Sequence, residues 1–197
     1  MKIVGITGGI GSGKSKVMEF FAAKGYPCYS ADAAGRRLLS EDQKVISAVI
    51  AAFGPAVVSP TMPLDRKILA ELVFKDKAQL QRLNAIIHPA VAEDFKAFLA
   101  QHKDAALVFK EAAILIESGS YTQCDVVLLV VSPKATRLAR VQQRDAVSEA
   151  AVLQRMQNQW EDEKKIPYAD VVLENTDWPT TEAQLEQLLT QLTATWM

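Results

Sequence analysis

The run Gly8-Gly9-Ile10-Gly11-Ser12-Gly13-Lys14-Ser15 constrains the fold of this chain more than any other feature. It has the spacing of a phosphate-binding loop, with a glycine, four free positions and then Gly-Lys-Ser. Its flanks have the character such a loop needs. Lys2-Ile3-Val4-Gly5-Ile6-Thr7 reads as a short buried parallel strand, and Lys16-Val17-Met18-Glu19-Phe20-Phe21-Ala22 as a helix ending near Gly25. Strand, glycine-rich turn and helix N-terminus together build an anion hole. Backbone N–H groups converge there, the helix dipole adds partial positive charge, and missing Cβ atoms let phosphate approach the backbone. Gly9, Gly11, Ser12, Gly13, Lys14, Ser15 and Lys16 are therefore expected to hold a nucleoside triphosphate, with Lys14 on the β- and γ-phosphates and the Ser15 hydroxyl on Mg²⁺.

A chain of 197 residues can bury a real core as one domain with small insertions. Its 22 basic and 23 acidic residues nearly cancel, so nothing marks it as a general nucleic-acid or membrane binder. Cys28 and Cys124 have neither metal-ligand spacing nor a disulfide framework, and read as free thiols in a reducing compartment. The apolar stretch before the glycines is too short for a signal peptide, and no apolar run approaches the ~20 residues of a membrane span. A cytoplasmic location is expected.

Four further apolar runs read as parallel strands: Pro27 to Ser30, Ala106 to Phe109, Asp125 to Val131, and Ala169 to Asn175. Helical stretches separate most of them. The expected fold is thus α/β, a P-loop NTPase-type parallel five-stranded sheet flanked by helices. The nucleotide-binding core is assigned to residues 1–39, 104–131 and 169–197. Residues 40–103 are too long for one crossover and hold helix-like segments at Gln43 to Phe53, Asp65 to Phe74, Lys77 to Ile87 and Ala90 to His102. They read as a helical insertion suited to a second substrate. Residues 132–168 read as an arginine-rich helical hairpin, a lid. From Thr181 to Trp196 an amphipathic helix puts Leu185, Leu188, Leu189 and Leu192 on one face, as core packing.

Asp32 follows the second strand, at the edge of the sheet where ligands bind in such folds. It reads either as a base for an attacking hydroxyl or as the N-cap of the next helix. Arg137, Arg140 and Arg144 recur at i, i+3 and i+7, on one side of a helix. They read either as a lid that clamps phosphates or as a solvated face paired with Asp145 and Glu149. Glu111 ends the third strand, where an acid can orient Mg²⁺ or its water. His88-Pro89 ends a helical stretch, and His88 reads as structural or capping rather than as a base. Glu117 can be either surface or substrate-facing.

These residues resemble the dephospho-CoA kinase family over nearly the whole chain. The resemblance runs from Gly5 through the glycine loop to Ser15, then Ala31-Asp32 with Arg36, Leu64-Asp65-Arg66 and Leu83-Asn84-Ala85-Ile86-Ile87-His88-Pro89. It continues through Ile114-Leu115-Ile116-Glu117-Ser118-Gly119, Arg137-Leu138-Ala139-Arg140 with Arg144-Asp145, and Ala169 to Asn175. The loop alone would fit many kinases; the ordered series is far more specific. The resemblance implies ATP- and Mg²⁺-dependent phosphorylation of the ribose 3′-hydroxyl of dephospho-CoA, a five-stranded core, a helical acceptor insertion and a mobile lid. It implies Lys14 as phosphate ligand, Asp32 as base and Arg140 as lid cation, with Arg137 and Arg144 beside it. Arg36, His88, Leu115 and Glu117 then contact or shape the acceptor pocket. Two departures stand out. The family usually has Asp-x-Asp after its second strand, where this chain has Ser30-Ala31-Asp32. Many members have an Asp followed by Pro-Leu-Leu after the third, where this chain has Glu111-Ala112-Ala113-Ile114-Leu115.

Overall fold

The computed structural model describes residues 1–59 and 62–196, with Phe74 and Lys75 described by backbone alone. Among the described residues one sheet holds β1 (Lys2–Thr7), β2 (Cys28–Ser30), β3 (Leu107–Glu111), β4 (Val126–Val131) and β5 (Val171–Glu174). All pairings are parallel, in the order β2-β3-β1-β4-β5. The five expected strands are present, each within a few residues of its expected bounds. β1 is central, with Ile6 beside Glu111 on one side and Leu128 on the other. The loop that follows β1 therefore leaves the carboxyl edge where the chain's course reverses, the place where open α/β sheets bind ligands.

Contacts divide the chain into two units, Met1–Ser30 with His102–Met197, and Ala31–Gln101. The first holds the sheet with α1 (Lys14–Ala23), α6 (Lys134–Asp145), α7 (Glu149–Met156), α8 (Asp162–Lys165) and α9 (Trp178–Trp196). Its core joins Val4, Ile6, Val17, Phe21, Phe109, Leu128 and Val130 to the α9 leucines Leu185, Leu188, Leu189 and Leu192. Phe21 stacks on Phe109 with ring centroids 3.7 Å apart. Burying each such side chain contributes roughly 1.5–3 kcal/mol. The leucine stripe read from the sequence is thus core packing.

The second unit holds α2 (Ala31–Glu41), α3 (Gln43–Phe53), α4 (Arg66–Lys75) and α5 (Lys77–Gln101) around a core of Leu38, Val45, Val49, Leu64, Leu69 and Leu83. Asp42 and Asp65 cap α3 and α4, each accepting two backbone N–H bonds. By these contacts α2 groups with the helices of the second unit. One expectation needs correction here. The helix break expected at His88-Pro89 is absent, because α5 runs unbroken through Pro89. Proline forfeits one backbone bond, but Ile86, Ile87, Ala90 and Val91 pack on the unit's core from both sides of it and hold the helix together. Gly35 on α2 faces the same side chains: a Cβ there would lie 3.4 Å from Ile87 Cγ2, an ordinary contact distance.

Candidate active site

The loop between β1 and α1 is shaped by glycine where no other residue fits. Gly13 has φ 100°, and a Cβ on it would run into the Asn175 amide. A Cβ on Gly8 would strike the Val130 carbonyl. These approaches draw the loop onto the ends of β4 and β5. Lys14, at the head of α1, is nearly buried and donates from Nζ to Gly8 O at 2.9 Å and Gly9 O at 3.3 Å. Its charge is held at the loop. Ser15 and Lys16 are exposed in the first turn of α1, and Lys16 Nζ lies 4.2 Å from the Trp178 ring centre.

Three side chains that the spacing of the sequence could not place hold the loop from behind. Buried Asn175, just past β5, donates from Nδ2 to Ser12 O at 2.8 Å and accepts at Oδ1 from Thr181. Ser132, just past β4, donates to Asn175 O at 2.9 Å. Gln159 accepts from Ile10 N–H at 2.8 Å and donates to Ala113 O at 3.3 Å. Asn175 was legible only as the last residue of a strand-like motif, and Gln159 carried no signal.

The three arginines have separate settings. Arg140 donates to Gly11 O and Ser12 O, both at 3.5 Å, to Ser132 Oγ at 3.3 Å, and to Asn175 O at 3.2 Å. It bridges the loop and the strand ends. Arg137 is buried beside Gly9 and paired with Asp162 at 3.3 Å. Arg144 instead binds its neighbour Asp145 at 2.7 Å, and Arg155 binds the same carboxylate. Two of the three reach the loop; the third forms the surface pair that was the bland alternative.

Glu111, at the carboxyl end of β3 and nearly buried, accepts from Ser30 Oγ at 2.7 Å. Ser30, which stands at the place of the family's usual first acid, thus binds an acid on the neighbouring strand. Asp32 lies inside the first turn of α2, with Ser30 rather than Asp32 just before the helix. The capping alternative for Asp32 loses its support, because a cap precedes the first helical residue.

Glu117 is partly buried. Its Oε1 accepts from Trp160 N–H at 3.1 Å and lies 3.1 Å from Nζ of fully buried Lys165. Leu115 is fully buried, against Gly5. Arg36 is exposed on α2, and His88 is exposed on α5. Partial burial still holds the His88 imidazole below its ordinary value, which favours the neutral ring. Among the described residues no group of three or more His, Cys, Asp or Glu forms a metal cage, and no helix is long and apolar enough to cross a membrane.

A family model described as dephospho-CoA kinase matches residues 2–179. A dephospho-CoA kinase of Salinibacter ruber is 41% identical over 177 residues, covering 89% of each chain. A crystal structure of a Thermus thermophilus protein aligns with a TM-score of 0.86 at 36% identity, covering 100% of this chain and 98% of that one. The structure of a dephospho-CoA kinase from Campylobacter jejuni aligns with a TM-score of 0.71 at 27% identity, covering 98% of both.

Proposed function

This chain belongs to the dephospho-CoA kinase family, and from that membership we propose that it transfers the γ-phosphoryl group of ATP to the ribose 3′-hydroxyl of dephospho-CoA, giving CoA and ADP. It is a phosphotransferase that uses a nucleotide. One observation carries the reading: the glycine loop, with Lys14 held at its mouth, stands at the centre of the sheet's carboxyl edge. A triphosphate bound there meets converging N–H groups and a fixed cation, the electrostatic stabilisation on which phosphoryl transfer depends.

On this reading Gly9, Gly11, Ser12, Gly13, Ser15 and Lys16 line the phosphates, with Arg137 and Arg140 beside them. Lys14 and Arg140 balance charge on the transferring group. Asp32 takes the proton of the acceptor hydroxyl. Arg36 and His88 serve the acceptor, and residues 132–168 act as the lid. The oxygen donors fit Mg²⁺: the exposed Ser15 hydroxyl would hold it, with the Glu111 carboxylate at the adjacent strand end oriented by Ser30. Bound there, the ion would neutralise charge on the β- and γ-oxygens. The compartment proposed is the cytoplasm, in keeping with two free thiols that burial pushes up to about 11 and so keeps unreactive.

The test is ADP release measured with dephospho-CoA against a panel of nucleosides, nucleoside monophosphates and sugars. Turnover with dephospho-CoA alone is expected, and none in Lys14→Ala at an unchanged melting temperature. Preferred turnover of another acceptor, or full activity in Lys14→Ala, would overturn the assignment.

A further inference from the structure

Four buried side-chain atoms lack a hydrogen-bond partner among the described residues: Ser12 Oγ, Glu117 Oε2, Arg137 Nε and Lys165 Nζ. One belongs to the glycine loop. The other three belong to side chains tied to the stretch from Gln159 to Lys165, which returns from α7 toward β5. Within seven residues this stretch makes four attachments. Gln159 joins Ile10 N–H to Ala113 O, Trp160 N–H binds Glu117, Asp162 holds Arg137, and Lys165 pairs with Glu117.

Stability does not account for this arrangement. Lys165 is 0% exposed and Arg137 5%, and buried ions rarely recover their desolvation cost. Burial raises the Asp162 carboxyl above its ordinary value, against the opposing pull of Arg137 and Lys165. Apolar side chains of similar volume would fill the space as well or better. What they could not do is fix the loop. Ile10 N–H needs a directed acceptor, and the Gly9 edge is walled by the Arg137 guanidinium, whose Nη1 occupies the place where a Cβ on Gly9 would sit.

We propose that Gln159 and Asp162 are positioning residues for the nucleotide loop, Gln159 through the Ile10 N–H and Asp162 through Arg137 against Gly9. Neither touches the triphosphate. Both set the shape of the backbone that does, and so set nucleotide affinity apart from acceptor affinity. The inference rests on the proposed function only in taking the loop as the ATP site.

Full-length Gln159→Ala, Gln159→Glu and Asp162→Asn proteins are titrated with Mg-ATP and, separately, with dephospho-CoA, and melted without ligand. Gln159→Ala is expected to raise the Kd for ATP about tenfold, the scale of one buried hydrogen bond, and to leave the dephospho-CoA Kd within about twofold. Gln159→Glu keeps an acceptor for Ile10 but loses the donor to Ala113 O, and is expected to recover part of the loss in ATP affinity with the dephospho-CoA Kd still unchanged. Asp162→Asn is expected to weaken ATP alone, by about threefold, because a neutral amide holds Arg137 less firmly. Unchanged ATP affinity in Gln159→Ala would overturn the proposal. So would equal weakening of both ligands together with a lowered melting temperature. If Gln159→Ala does not fold, Asp162→Asn decides: an ATP-only loss supports the proposal, and a parallel loss sinks it. If this ATP pattern appears in a protein that does not phosphorylate dephospho-CoA, the proposed function falls and the positioning role stands.

Discussion

Asp32 and Arg140 are single side chains whose types could be read from the sequence and whose settings could not. Asp32 lies inside the first turn of α2, one residue after the helix begins. Asp32→Asn keeps size and much of the hydrogen bonding but cannot take a proton. We expect kcat to fall roughly 10²–10⁴-fold with ATP affinity nearly unchanged, measured at saturating substrates beside the melting temperature. Full activity in Asp32→Asn would remove the proposed base. Arg140 stands between loop and strand ends on five oxygens at 3.2–3.5 Å. Its Arg140→Ala variant is expected to lose about 10²-fold in kcat, and Arg140→Lys to regain part, since an ammonium lacks the planar fork. A rise confined to the KM for ATP would leave Arg140 a brace for the loop and nothing more. The i, i+3, i+7 spacing put three arginines on one side of α6 but could not say where each guanidinium ends. Arg144 found Asp145, one residue away in the chain.

Periodicity and capping chemistry worked well for whole elements, and proline rules did not. The bounds of α3 match expectation, because Asp42 caps it and Gly54 ends it, both local signals. At Pro89 the local rule predicts a break, and the packing of Ile87, Ala90 and Val91 overrides it. That override leaves a measurable cost. Pro89→Ala restores a backbone donor in the interior of α5 and is expected to raise stability by about 1–3 kcal/mol, less the loss from a freer unfolded chain. Denaturant melts of the two proteins check this. A destabilised Pro89→Ala would mean that Pro89 shapes α5 in a way the rest of the unit depends on. The stretch from Gln159 to Lys165 was illegible for a different reason. It is short, polar and aperiodic, and its partners lie as far as 149 residues away in sequence.

Across the whole molecule, the sheet and its crossovers were legible because long apolar runs alternating with helices leave few topologies open. The strand order has a consequence for the order of synthesis. β1 carries the nucleotide loop and is made before the other strands, yet both of its neighbours, β3 and β4, come after residue 101. The loop's remaining supports arrive later still, with Gln159 and then Asn175. A chain leaving the ribosome N-terminus first thus carries its glycine loop unsupported through most of translation. Stalled nascent chains of increasing length, probed for protection from protease by ATP, are expected to gain that protection only once Asn175 and the α9 leucines have emerged. Protection in a chain that stops before Leu107 would show that the loop shapes itself. A segment translated ahead of every strand that flanks it is, on this topology, able to bind only after they have all arrived.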